Sequence, residues 1–149
     1  MVTCHDVAKY ILEKQGPMTA MKLQKLVYYA QAWSLVWGEE TPLFNENIEA
    51  WVNGPVVPEL YKSHSGMFKV DAQTIPKGNS SVLNNDQKDT INRILKYYGS
   101  KDSQWLSDLT HLEDPWKNAR HGLLPNERGG QVISLQSMSE YYSSIQPEN

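Results

Sequence analysis

The sequence predicts a mainly α fold of the α+β kind: one compact helical bundle spanning residues 1–149, built around a central helix from Thr19 to Trp37, with two or three short strands. Three observations carry this. Leu23, Leu26, Val27, Ala30, Trp33 and Trp37 recur at gaps of three and four, which places them on one helical face. The same period returns near 5–14, 84–98 and 103–113, whereas IEAWV at 48–52 alternates and is rich in β-branched and aromatic residues, the pattern of a strand. A chain of 149 residues buries roughly 68–70% of its unfolded surface, enough for one core.

The first helix is expected from about His5 to Lys14, with Thr3 and Asp6 as a capping box and Val7, Ala8, Ile11 and Leu12 as its apolar stripe. Gly16 and Pro17 stop it. Thr19 is the expected N-cap of the central helix, and Gly38 its left-handed stop. Tyr28, Tyr29 and Leu35 widen the apolar stripe, so other elements should cover this helix on two or three sides. Glu39 to Pro42 reads as a surface loop. Asn47 to Asn53 should form a strand that ends at Gly54-Pro55, with Pro58 opening a short helix through Lys62; the whole reads as a strand-to-helix corner. A phosphate cradle at this glycine would need a longer glycine pattern, which is missing.

Met67 to Ile75 suggests another strand, and Pro76 to Ser81 a loop. Asn84 or Asn85 caps a helix to about Tyr98, which Gly99 ends. Ser103 to about Glu113 is helical through Trp105, Leu106, Leu109 and Leu112. Asp114 as N-cap, with Pro115 at the first helical position, restarts a helix. Gln131 to Ile133 is a short strand, and Ser137 with Glu140 forms a capping-box match before a last helix carrying Tyr141, Tyr142 and Ile145.

Composition narrows the function classes. Cys4 is the single cysteine, so no internal disulfide framework exists, and a reducing cytoplasm fits. No secretory signal and no stretch approaching the roughly 18 apolar residues of a membrane span is visible, so a soluble cytoplasmic protein is expected. A net charge of −3 gives no global pull toward nucleic acid.

Three segments together carry a resemblance. MKLQKLVYYAQAW (Met21 to Trp33), IEAWVNGPVVPELY (Ile48 to Tyr61) and LSDLTHLEDPWKNAR (Leu106 to Arg120) resemble, in order and spacing, the hallmark segments of the SocA-like or GepA-like family, the Panacea-domain antitoxins often found beside toxin genes and in phage or prophage regions. The resemblance implies a protein-binding module that neutralises a cognate toxin by direct contact and, in some members, hands it to a cytoplasmic AAA+ protease. It implies no catalytic set, no metal and no cofactor. A phage or prophage regulator or anti-defence factor is a further reading of the same resemblance.

The residues offer one competing chemistry. His111, Glu113, Asp114 and His121 suggest a small metal-dependent or hydrolytic enzyme. Residues two apart on a helix diverge, however, and Asp108 with His111 supplies fewer ligands than the three of a catalytic zinc site. Asp114 is accounted for as a cap and His111 as a buried ring bonded to backbone. Cys4 beside His5 lacks the placed base and acid of a nucleophile. Most of the five tryptophans should be core. Lys9, Lys14, Lys22 and Lys25 read as a solvated face or as a docking surface for an acidic partner or phosphate. Trp51, Trp116 and Arg120 are the candidate partner contacts, being hot-spot residue types beside the two most family-like corners.

Overall fold

Thr3 opens the first helix, α1 (Cys4–Gln15), in the computed structural model, which describes residues 1–146. The capping box is formed: the Thr3 hydroxyl accepts from the Asp6 amide and the Asp6 carboxylate accepts from the Thr3 amide. A two-residue strand β1 (Met18–Thr19) leads into α2 (Ala20–Trp37), with the Thr19 hydroxyl capping the Lys22 amide. The exit from α2 corrects one expectation. Gly38 has φ −106° and is not left-handed; Glu39 (φ 55°) and Glu40 (φ 64°) take the positive-φ positions instead. The turn is still closed by hydrogen bonds from the Gly38 amide to Ser34 and the Glu40 amide to Leu35.

The expected strand-to-helix corner is a hairpin. β2 (Glu49–Trp51) pairs antiparallel with β3 (Gly54–Val56), Ala50 opposite Pro55 and Trp51 opposite Gly54, and only then does α3 (Pro58–His64) begin. On the other edge of β2, Val132 bridges Glu49, with bonds from the Ala50 amide to the Gln131 carbonyl and from Ile133 to Ile48. The strand expected over Met67 to Ile75 shrinks to β4 (Lys69–Val70), which pairs with β1. A 3-10 turn (Ser80–Val82) precedes α4 (Asn85–Tyr98), whose Asn84 and Gln87 form a full capping box.

α5 (Ser103–Leu112) starts on the Asp102 side chain, and α6 (Asp114–Ala119) follows at once. Here Glu113, not Asp114, occupies the N-cap position and makes no capping bond, because its carboxylate is used in the core. The last helix, α7 (Leu135–Ile145), is capped by Ser134 rather than by Ser137, whose own amide is the group capped.

The architecture is mainly α with a few short strands. α2 packs against α1, α4, α5, α7 and β3, so it is covered nearly all round, and Leu23, Leu26, Val27, Tyr28, Tyr29 and Ala30 are fully buried. A helix apolar on every side has no solvent face on which to put its polar residues. Gln24, Lys25, Gln31 and Ser34 are consequently buried too. Gln31 turns this to use: its amide donates to the Phe44 carbonyl, and its oxygen accepts from the Leu43 and Phe44 amides. Only Trp33 and Trp116 of the tryptophans are fully core; Trp37 and Trp51 are half-buried and Trp105 is exposed, which overturns the expectation that most would be core. No helix among the described residues is long and apolar enough to cross a membrane.

Candidate functional site

The three family-like segments converge on the β2–β3 hairpin. Four consecutive carbonyls from 50 to 53 are each taken by a side chain from the stretch Ser107 to Arg120. Arg120 Nη1 donates to Ala50 (2.9 Å), Trp116 Nε1 donates to Trp51 (2.8 Å), His111 Nε2 lies 2.8 Å from the Val52 oxygen, and the Ser107 hydroxyl donates to Asn53 (2.7 Å). From α2, Gln24 brackets the far end of the hairpin, its oxygen accepting from the Val57 amide (2.9 Å) and its nitrogen donating to the Val57 carbonyl (3.3 Å). Backbone groups that a two-stranded ribbon leaves open are thus satisfied by side chains rather than by water. The hairpin is fixed, and so is whatever it presents.

Gly54 packs directly against Lys25 of α2. Its φ of +118° is open to glycine and strained for other residues. A Cβ there would stand 2.5 Å from Lys25 Cε and 2.9 Å from Thr110 Oγ1. The glycine is required both by conformation and by close approach.

Between the hairpin, α2, α3 and the loop at 128–130 lies a cleft of about 620 Å³. Trp51 forms one wall, edge-on to Tyr61 with ring centroids 5.1 Å apart, and its indole N–H is held by Glu49 Oε1 at 2.9 Å. Met21, Tyr61 and Met67 also line the cleft and are partly open to solvent, with Phe68 exposed beside them. His64 sits deeper, its Nε2 2.9 Å from the Gln24 side-chain nitrogen. Burial lowers the His64 pKa, which agrees with a neutral ring accepting from that amide.

Lys25 lies at the floor. It is 1% exposed, and among the described residues its Nζ has neither a hydrogen bond nor an ion pair. Burial alone pushes its pKa down to about 7 from the usual 10.5. The expectation of a solvated lysine face fails for Lys25, Lys22 and Lys9, whereas Lys14 is exposed. Lys25 is interior, Lys22 Nζ donates to the Gly99 carbonyl at 2.7 Å, Lys9 donates to the Ala72 carbonyl, and Lys14 lies over the Tyr10 ring. The signal for Lys25 was in the sequence: on a helix expected to be covered on several sides, some of its few polar residues must go inside.

The three expected contact residues are brought together in different roles. Trp51 is half-buried in the cleft wall. Trp116 and Arg120 are buried behind it, with their donors spent on the hairpin. Arg120 also donates through Nη2 to the carbonyls of Leu124 (3.3 Å), Pro125 (3.5 Å) and Glu127, which fastens the loop leading to the cleft rim.

The competing set disperses. Both His111 ring nitrogens face backbone carbonyls, those of Ser107 and Val52. Asp108 accepts from Gln104, His121 is exposed, and Glu113 points into the core. Among the described residues no group of three or more His, Cys, Asp or Glu side chains is placed to hold a metal ion. The Cys4 thiol is buried, and its pKa is driven up by desolvation and by Glu46 and Glu59.

Comparison with known proteins matches residues 23–117 to the family model described as antitoxin SocA-like, Panacea domain. That span contains Lys25, the hairpin, His111 and Trp116. The chain is similar to antitoxin SocA of Caulobacter vibrioides (strain NA1000 / CB15N), 30% identical over 136 residues that cover 81% of this chain and 72% of that protein. No solved structure matches the chain.

Proposed function

The chain belongs to the antitoxin SocA-like, Panacea-domain family, and from that premise we propose that it is an antitoxin that neutralises a cognate toxin by stoichiometric contact, without catalysis, at the cleft beside the β2–β3 hairpin. The observation that carries the placement is the fixed hairpin. Its carbonyls are clamped by Ser107, His111, Trp116 and Arg120, so the Trp51 and Tyr61 wall stands ready without an ordering cost on binding. Trp51 is the direct contact, while Trp116 and Arg120 hold it in place. The partly exposed Met21, Tyr61 and Met67 in the cleft lining form the kind of clustered apolar surface that marks a protein-binding site.

A binder saturates at one partner per site, whereas an enzyme turns over. Co-expression with its cognate toxin should restore growth, and protection should fail once toxin exceeds antitoxin. Trp51→Ala should remain folded and lose protection. Full protection at strongly substoichiometric antitoxin with no detectable complex would defeat stoichiometric binding. Loss of that protection in a host lacking the AAA+ protease would then assign an adaptor role, and its persistence would point to catalysis.

A further inference from the structure

We infer that Lys25, at the floor of the cleft, is the recognition point for a carboxylate on the toxin: an Asp or Glu side chain carried by an apolar segment that inserts between Trp51 and Met21. This rests on docking at the cleft and adds what the docked segment must carry. Three features of the site point to it.

The first is a buried amine without a protein partner among the described residues. Lys25 is 1% exposed, lines the cleft, and meets no acceptor among the described residues. The nearby Thr110 hydroxyl donates its proton to the Ser107 carbonyl (2.7 Å) and keeps its lone pairs, yet makes no hydrogen bond to Lys25. Buried charges are ordinarily paired, and an apolar side chain of the same volume would serve stability better. The second is that the carboxylate lining the cleft is engaged: Glu49 accepts from the Trp51 indole, and burial is the single cause of the depressed Lys25 pKa, with no carboxylate drawing it back up. The third is the chemistry of the walls. Trp51, Tyr61, Met21 and Met67 suit apolar flanking side chains, and a charge-assisted bond formed in so desolvated a place is strong.

The test on the intact protein uses two acetylated, amidated tripeptides, Leu-Glu-Leu and Leu-Gln-Leu, titrated against chain carrying 13C-labelled lysine. The Glu peptide should shift the Lys25 Cε and Trp51 indole signals and bind at least tenfold more tightly than the Gln peptide, and the difference should vanish in Lys25→Met. Equal binding of the two peptides, or no change at Lys25 with either, would overturn the inference. With the cognate toxin as second probe, Lys25→Met should weaken the complex at least tenfold. If Lys25→Met binds that toxin like the wild type while Trp51→Ala does not, carboxylate recognition falls and docking at the cleft stands. If both variants bind like the wild type, docking at the cleft falls as well.

Discussion

Two of the buried ionisable groups at helix α2 are treated in opposite ways. Against one side lies Glu113, whose Oε1 accepts from the hydroxyls of Tyr29 (2.7 Å) and Tyr142 (2.8 Å); Tyr142 in turn shares a hydrogen bond with Tyr28 (2.9 Å). Burial raises the Glu113 pKa, and the two tyrosine bonds pull it back down. On another side lies Lys25, equally withdrawn from water and with no partner among the described residues. A buried polar group that is fully satisfied fixes one packing arrangement, whereas an unsatisfied one only costs stability. The tyrosine–glutamate cluster therefore belongs to the fold, whereas the lysine, which does nothing for the fold, is the group proposed above to meet a partner.

The largest expected effect comes from removing the lysine. Its folded pKa of about 7 lies below the usual 10.5, so between these values the unfolded chain binds more protons than the native one. Stability must then rise with pH across that window, by up to about 1.4 kcal/mol per pH unit. Below about pH 7 both states hold the proton and the full cost of burial is felt. Lys25→Met should raise the melting temperature most at neutral and lower pH, and the wild-type-minus-variant difference should shrink as pH climbs toward 10. Lys22 is also depressed by burial and adds a slope of the same sign, but it is common to both proteins and cancels in the difference. A variant no more stable than wild type at pH 7 would remove the contrast between the two groups.

Glu113→Ala should act in the opposite direction. It leaves the Tyr29 hydroxyl without its acceptor and Tyr142 dependent on Tyr28 alone, at about 1–3 kcal/mol for each buried polar group left unpaired. Denaturant unfolding measures this, and Glu113→Gln, which keeps an acceptor oxygen, should recover much of the loss. Gly54→Val should cost about 2 kcal/mol or more, because a strained φ and a clash with Lys25 Cε arrive together. An unchanged melting temperature would mean that the hairpin does not press on the lysine.

The same contrast explains what could be read in advance. Periodicity exposed α1, α2, α4 and α5, because those helices bury stripes with gaps of three and four. The caps at Thr3, Thr19 and Asn84 could be read because capping is local chemistry. Glu113 could not, since its pairing with Tyr29 and Tyr142 joins residues 84 and 29 positions apart. For the same reason Asp114 looked like the cap of α6 when Glu113 held that position. The hairpin was read as a corner because Gly54-Pro55 is a local turn signal, while the groups that make it a strand pair lie on α5, α6 and α2. Residue type singles out Trp51, Trp116 and Arg120, which the structure brings together at the hairpin. That Trp116 and Arg120 lie behind the surface and Trp51 on it is a matter of packing, which spacing along the chain does not encode.

The smallest expected effect isolates the hairpin from the lysine. His111 reaches the Val52 and Ser107 carbonyls and lies 4.0 Å, centroid to centroid, from the Trp116 ring, but it is absent from the cleft lining. His111→Ala should cost about 1 kcal/mol, the net worth of a hydrogen bond, rising toward 2 if the freed carbonyl is not rehydrated. Three of the four clamped carbonyls keep their donors, so the hairpin should loosen at its turn without melting. Shifted NMR signals at Val52 and Asn53, with the Ala50 amide still protected by its bond to the Gln131 carbonyl, would report this. The Lys25 pH window should stay where it is, because the clamp and the buried charge are separate features of one site. A His111→Ala protein whose stability no longer rises between pH 7 and 10 would show that the hairpin, rather than the covering of α2 as a whole, keeps water from the lysine.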